Sequence, residues 1–196
     1  MKQRSMQKLK TRQKILDAAL RQFGERGILA ARMQDVADAA GVSHGTVFMH
    51  FGSQEELVYA VIEDFGGKAT LRTHELAAGG KGVRGVLEAH LAVLGESEDF
   101  YRRLIAELSQ LPDGCRDRFI MIQSAISLHL SEAAGREMRE GSIRPMPLHL
   151  LFNTWMGLAH YYLMNRSLFA PGQSVIKIRG QELLDHFMRL IGKGDC

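Results

Sequence analysis

The chain has 196 residues, of which 45% are hydrophobic, 24% charged and 7% aromatic, and its formal net charge at pH 7 is +3. This length allows one or two compact domains with an ample apolar core. No run of about 18 apolar residues is present, and the basic N-terminus carries no apolar signal stretch, so we expect a soluble, cytoplasmic protein without a membrane span. Cys115 and Cys196 are too widely spaced for a CxxC metal site and predict no disulfide framework.

Positive charge is concentrated in the first quarter of the chain. Residues 1–52 contain nine Lys or Arg and four Asp or Glu, whereas the remainder contains 16 basic and 18 acidic residues. A localised basic segment is typical of a nucleic-acid contact. A solvated basic tail on any soluble protein gives the same excess, so the charge alone leaves both interpretations open.

Two helices are predicted first along the chain. Apolar residues recur at helical spacing from Ile15 to Phe23, with Lys and Arg on the opposite face, and they recur again from Met33 to Ala40. Gly41 ends the second, short helix because a residue without Cβ lets the backbone turn sharply.

Two further helices follow this turn. Ser43 is a good N-cap for a short third helix that would bury Val47 and Phe51. Gly52 and Ser53 end it and open a fourth helix with acidic residues in its first turn, where the helix dipole favours anions.

The remaining sequence also has helical periodicity and no β-alternation of useful length. Glycine and proline turn signals divide it into helices near 54–78, 82–96, 99–111, 115–140, 148–168 and 174–192. The predicted fold is all-α with about nine helices: an N-terminal three-helix domain and a larger C-terminal helical bundle.

The second and third helices, preceded by a longer basic helix, predict a helix-turn-helix module whose third helix presents its solvent face to the major groove. With Val47 and Phe51 inward, Gly45 and Met49 point directly outward. Three residues flank them: His44, Thr46 and Phe48. Glycine turns between helices also occur in proteins that bind no DNA, so periodicity alone leaves this interpretation open.

Each outward position offers a different contact. Gly45 permits close approach to DNA, and the Thr46 hydroxyl can reach a base edge or a phosphate oxygen. His50 lies at the rim, where a ring N–H can hold a phosphate.

The segment from Ile15 to Leu57 resembles the DNA-binding domain of the TetR family of bacterial transcriptional regulators. Its sequence is ILDAALRQFGERGILAARMQDVADAAGVSHGTVFMHFGSQEEL. The matching features are A-A-x-x-x-F-x-x-x-G in the first helix, D-V-A-x-A-A-G-V-S through the turn, G-T-V-F-x-H-F in the third helix and G-S-Q-E-E-L at the start of the fourth. Beyond this segment the resemblance is limited to helix count, length and an E-G-x-I-R-P turn before a long apolar helix.

The resemblance implies a set of DNA-contacting positions. Those that read base edges or adjacent backbone are Gln34, Ser43, His44, Gly45, Thr46 and Met49. Phe48 and His50 occupy positions that clamp phosphates. Three departures weaken the expected backbone contacts: Phe48 stands where Tyr is frequent, Ala31 and Arg32 replace the usual Thr or Ser, and Gln54 replaces Lys. Arg32 and Gln54 stay in the expected DNA-binding set, and N-terminal basic residues can compensate: Lys2, Arg4, Lys8, Lys10 and Arg12.

The resemblance also implies the division of labour along the chain. Residues 1–53 would form the helix-turn-helix domain, the helix over about 54–78 would connect, and residues 67–196 would bind an effector and dimerise through the last two helices. A homodimer is expected because two recognition helices about 34–36 Å apart are needed to read a palindromic operator. The apolar segment 148–165 suits a helix facing both a core and a partner; a monomer that buries this helix internally is the alternative.

Aromatic, methionine and histidine side chains in the C-terminal part are candidates for an effector pocket. They are Phe100, Tyr101, Phe119, Met121, His129, Phe152, Trp155, Met156 and Tyr162. Their spacing is also that of ordinary core residues. His90, His129 and His160 could meet inside the bundle, but without an HxxxH or HExxH pair we expect no metal site.

The sequence therefore predicts a DNA-binding repressor that a small, largely apolar effector releases from its operator. An activator, or a regulator without an effector, is the alternative within the same fold. We expect neither enzymatic activity nor a cofactor, because we find no glycine-rich phosphate loop, no GxSxG and no spaced catalytic carboxylates.

Overall fold

The computed structural model describes residues 2–77 and 82–193, and within these ranges the chain forms ten α-helices and no β-strand. The helices are α1 (Lys2–Arg26), α2 (Met33–Ala40), α3 (His44–His50), α4 (Gln54–Ala77), α5 (Gly82–Glu96), α6 (Glu98–Glu107), α7 (Asp113–Glu140), α8 (Leu148–Met164), α9 (Arg166–Phe169) and α10 (Val175–Ile191). This confirms the all-α prediction. None of these helices is long and apolar enough to cross a bilayer.

Two helix boundaries differ from the sequence prediction in an informative way. The helix α1 begins at Lys2, so the basic N-terminal segment is helical. The helix predicted over 148–168 is divided at Asn165, whose side-chain amide donates to the Tyr161 carbonyl at 2.8 Å. Short polar side chains compete with the helix for backbone partners in this way. Residue 78, the predicted end of the fourth helix, and Cys196 lie outside the described residues.

The chain packs as two compact units. The first comprises Met1–Gly67 and Asp99–Phe119, and the second comprises Lys68–Glu98 and Ile120–Cys196. Residues 99–119 thus pack with the N-terminal helices, although the sequence reasoning assigned them to the C-terminal domain. The assignment of functions to domains remains a prediction.

The core of the first unit consists of the apolar positions that helical spacing singled out. Ile15, Phe23, Val36, Val47 and Phe51 are each at most 2% exposed. Burying a side chain of this size stabilises the fold by about 1.5–3 kcal/mol relative to leaving it in water. This shared core fixes how α3 is rotated relative to α1 and α2.

The core of the second unit is centred on Trp155 of α8. Its indole ring is fully buried and meets the Phe187 ring edge-on at 5.3 Å between centroids. The indole N–H donates to Nδ1 of His90 on α5 at 2.9 Å. A buried indole donor needs such a partner, so this bond joins α8 to α5 within the core.

Candidate nucleic-acid interface

The turn between α2 and α3 is built on a left-handed glycine. Gly41 has φ +59°, and its N–H donates to the Asp38 carbonyl at 3.1 Å, while the Val42 N–H donates to the Ala37 carbonyl at 3.0 Å. Only glycine adopts this conformation without strain. The chain can therefore reverse within two residues and start α3 at a fixed angle to α2.

Ser43 caps α3 as the sequence predicts. Its hydroxyl oxygen accepts a hydrogen bond from the Thr46 backbone N–H at 3.1 Å. The hydroxyls of Ser43 and Thr46 also lie 2.8 Å apart and are hydrogen-bonded to each other. Thr46, whose hydroxyl is expected to be available for DNA, is a half-buried residue, and that hydroxyl already shares a bond with the cap.

The rotation of α3 confirms the predicted inward and outward faces. Val47 is fully buried and Phe51, just after the helix, is 2% exposed, while Met49 is 78% exposed. Gly45 lies one turn before Met49 on the same outward line, and a Cβ added there would meet only the Ser43 hydroxyl, at 3.9 Å. The outward line of α3 is thus open to a close neighbour.

His44 and Phe48 flank this line on one side. Their ring centroids lie 5.2 Å apart, and both side chains are exposed. The pair forms a small aromatic wall along the helix, with the imidazole nitrogens available for hydrogen bonds.

The residues of α2 that the resemblance assigned to DNA are exposed. The Gln34 amide donates to the Asp38 carboxylate at 2.7 Å along the helix surface. Arg32 provides no side-chain cap; instead its N–H donates to the Asp35 carboxylate at 3.0 Å, and Asp35 also pairs with Arg26 at 2.9 Å. This pairing leaves the Arg32 guanidinium at the exposed start of α2.

Gln54 has a structural contact that the sequence reasoning did not anticipate. Its side-chain amide donates to the Ala31 carbonyl at 2.9 Å, which ties the first residue of α4 to the loop before α2. The neighbouring Ser53 caps α4 by accepting from the Glu56 N–H at 3.1 Å. These contacts hold the start of α4 against the helix-turn-helix.

Basic side chains of α1 lie beside α3. The Arg12 guanidinium lies 4.9 Å from the centre of the Phe51 ring. Burial, and then the charges of Lys8 and Arg12, lower the pKa of His50 below its ordinary value of 6.5. His50 is thus neutral at pH 7, with one N–H to donate, in a positive field that favours an anion.

Lys14 is a further basic residue of this surface that the sequence reasoning did not single out. Its ammonium lies close to Gly41, 3.5 Å from where a Cβ would stand. A cation is favoured at the carboxyl end of α2 by the helix dipole. Only the folded arrangement shows this, because 27 positions separate the two residues.

The nine predicted effector-pocket residues are divided between the two packing units. Phe100, Tyr101 and Phe119 belong to the first unit, where Phe65 contacts Phe100 and Tyr101, and Tyr101 contacts Phe119, with centroid distances of 5.2–6.1 Å. The burial of these three residues is what the core alternative expects, and their part in an effector pocket stays a prediction.

The other six residues lie in the second unit in several settings. Trp155 and Met156 are buried, and Met121 is 60% exposed. His129 faces His74 with ring centroids 5.5 Å apart. The half-buried Phe152 has no ring contact among the described residues, and Tyr162 stacks on Phe169 of α9 at 4.1 Å.

A groove of about 740 Å³ that the sequence did not reveal runs between α5 and α10. It is lined by Glu88, Leu91, Ala92, Gly95, Glu96, Ile176, Lys177, Gly180, Gln181 and Leu184. None of the nine predicted pocket residues lines it.

The histidines that the sequence grouped meet only in part. His90 is fully buried with a pKa lowered to about 3 by burial and by nearby His160, and burial lowers the pKa of His160 to about 4. Both rings are neutral at pH 7. Among the described side chains, no three His, Cys, Asp or Glu lie close enough together to hold a metal ion.

Comparison with known proteins places this geometry in a family. Residues 15–61 match the family described as "Bacterial regulatory proteins, tetR family". The HTH-type transcriptional repressor KstR2 of Rhodococcus jostii is 34% identical over 95 residues, which are 48% of this chain and 47% of that protein. The chain thus matches about half or less of the length of its curated relatives.

Solved structures extend the similarity of fold over nearly the whole chain. The ketosteroid transcriptional regulator KstR2 of Mycobacterium tuberculosis has a TM-score of 0.72 at 21% identity, covering 93% of this chain and 95% of that one. The transcriptional regulator FadR of Bacillus subtilis, in complex with stearoyl-CoA, has a TM-score of 0.71 at 16% identity, covering 90% and 97%. With the helix-turn-helix described above, the sequence match shows that residues 15–61 form a DNA-binding domain of the TetR family of bacterial regulatory proteins, and the chain as a whole shares the fold of such regulators.

Proposed function

We propose that this protein is a dimeric transcriptional repressor, not an enzyme, that binds a palindromic DNA operator through α3 and leaves it when a largely apolar effector binds. The observation that carries the proposal is the outward face of α3, held by the buried Val47 and Phe51 and capped by Ser43. An exposed helix of this size, braced by a second helix across a tight turn, fits the major groove. Such a protein would act in the cytoplasm, where bacterial DNA lies.

Base and phosphate contacts divide between the elements of the interface. The exposed residues on the outward side of α3 would face base edges: His44, Gly45 and Met49. Arg12 and Lys8 form a positive edge beside that helix, and with the N–H of the neutral His50 they would hold the phosphate backbone. Phosphate contacts supply affinity and salt dependence, whereas base contacts supply sequence preference.

The dimer would form through α8 and α10. One face of α8 is buried in its own unit, but Leu150, Tyr161 and Met164 on the other side are about half exposed. Ile178 and Leu190 of α10 are similarly exposed. Exposed apolar side chains on the two helices are available to pack against a partner copy, and a two-fold dimer gives the two copies of α3 that a palindrome needs.

Effector release would act on the second unit. The Bacillus subtilis relative in complex with stearoyl-CoA and the ketosteroid regulator from Mycobacterium tuberculosis favour an apolar effector here too. The single helix α4 carries residues of both packing units, so a shift at its C-terminal part can be felt at the helix-turn-helix. Such coupling is typically worth about 1–3 kcal/mol.

Selection from a randomised duplex pool tests this proposal. The purified protein is expected to enrich a palindrome at about 0.15 M salt and to bind it as a dimer. Addition of long-chain acyl-CoA or steroid ligands to the complex tests the release step, and a reporter placed behind the operator distinguishes repression from activation. If no sequence is enriched, the proposal fails; if an enriched sequence lacks two-fold symmetry, the dimer is refuted.

A further inference from the structure

The outward line of α3 offers DNA one side chain without a hydrogen-bonding group. Gly45 and Met49 share this line, opposite the buried Val47. Since helical side chains slant toward the N-terminus, the Met49 side chain covers the surface beside Gly45, which has no side chain of its own. The centre of the exposed face is therefore a thioether above an open stretch of backbone.

The hydroxyl groups nearest to this line are hydrogen-bonded to each other, which leaves one of their two O–H protons to donate. Ser43 and Thr46 share a 2.8 Å hydrogen bond at the start of the helix, and the Ser43 oxygen also accepts from the Thr46 N–H. Met49 is 78% exposed, the largest exposed fraction among the exposed large apolar side chains of the described residues. On a helix of only seven residues, the Met49 side chain is therefore a large part of the apolar surface that faces solvent.

The chemistry of the major groove limits what such a side chain can recognise. A thioether has no proton to donate and is only a weak acceptor, so it cannot read the donor and acceptor pattern of base edges. The C5-methyl group of thymine is the apolar group in that groove. Resting on the proposed DNA-binding function, we infer that Met49 selects thymine at one position of each operator half-site by packing against its methyl group.

The expected change in DNA affinity follows from the burial of a single thymine methyl group. Burial of one methyl group is worth a factor of about four in affinity. Replacing that thymine with uracil removes the methyl group and leaves base pairing and every hydrogen-bonding edge unchanged. Affinity should fall about fourfold for one half-site and about 16-fold when both are replaced.

Thymine-to-uracil scanning of the duplex enriched from the randomised pool tests this inference. Each thymine is replaced singly by deoxyuridine, and dissociation constants are measured for the wild type, Met49→Ala and Met49→Leu. The wild type and the leucine variant should lose about fourfold affinity at one position per half-site. The alanine variant should bind the thymine and uracil duplexes equally at that position. Leu128→Ala, which truncates an exposed apolar side chain of α7 outside the proposed DNA interface, is the control and should behave as wild type.

The outcomes separate this inference from the broader proposal. If a duplex is enriched but uracil costs nothing anywhere, or costs the same in Met49→Ala, the thymine inference is overturned while DNA binding stands. If no duplex is enriched, DNA recognition itself fails, and the inference falls with it. Circular dichroism of Met49→Ala checks that the substitution leaves the fold intact.

Discussion

Replacing Glu98 with alanine should detach the start of α10. The Glu98 carboxylate is buried and accepts hydrogen bonds from the backbone N–H groups of Val175 at 2.9 Å and Ile176 at 3.1 Å. The Ser174 hydroxyl also donates to it, and the Arg166 guanidinium lies 3.8 Å away. One side chain at the beginning of α6 therefore satisfies the N-terminus of α10, 77 positions further along the chain.

The loss of stability expected for Glu98→Ala follows from the two backbone N–H groups that lose their acceptor. Each buried N–H without a partner costs about 1–3 kcal/mol, and the lost negative charge at a helix N-terminus about 0.3–1 kcal/mol. Ser174 still caps the helix by accepting from the Lys177 N–H at 3.1 Å. We expect Glu98→Ala to lower the free energy of unfolding by about 2–7 kcal/mol, and Glu98→Gln, which keeps one acceptor oxygen, by about half as much.

Urea unfolding followed by far-ultraviolet circular dichroism measures this loss. Glu88→Ala, an exposed glutamate on α5, is the control and should change the free energy of unfolding by less than about 0.5 kcal/mol. If Glu98→Ala changes stability no more than Glu88→Ala does, the carboxylate does not anchor α10 and the reasoning is refuted.

Three further predictions concern pH, DNA affinity and assembly. Because the pKa of His90 is lowered to about 3 from 6.5, its contribution to stability is fully present above pH 6.5 and is lost as pH falls toward 3, by about 1.4 kcal/mol per pH unit. His90→Asn, which keeps an acceptor but does not titrate there, should show a shallower loss in acid unfolding; equal slopes would refute this. In binding titrations, Arg12→Ala should weaken specific and random duplexes equally and flatten the salt dependence, whereas His44→Ala should change base preference at one position per half-site by about 1–3 kcal/mol; equal losses on both duplexes for both variants would contradict the assignment. Leu150→Glu on α8 should convert the dimer to monomers in sedimentation experiments. Leu128→Glu, which changes a similarly exposed leucine of α7, should leave the dimer intact. If only the α7 variant is monomeric, the dimer does not form through α8.

The parts of the fold that local sequence determines were predictable. Ser43 caps α3 by accepting from the N–H of Thr46, only three residues further along the chain. Gly41 ends α2 because glycine readily adopts the left-handed backbone conformation. The buried positions Val47 and Phe51 follow from a period of 3.6 residues. These local rules also gave the outward face of α3.

Contacts between distant positions were beyond such rules. Nothing in the local pattern shows that the Gln54 amide reaches the Ala31 carbonyl, or that Glu98 caps α10. Aromatic residues at helical spacing look alike in a core and in a pocket, and the structure buries Phe100 and Phe119 in an aromatic cluster of the first unit. Tertiary packing, which periodicity does not specify, makes that distinction.

Sequence-specific DNA binding through α3 underlies the proposed function. The most direct measurement compares the affinity of the purified protein for its enriched duplex with that for a scrambled duplex of the same composition, at about 0.15 M salt. We expect at least about 10³-fold tighter binding to the enriched duplex, and a loss of that ratio when His44 and Met49 are both replaced by alanine. Equal affinity for the two duplexes would contradict it.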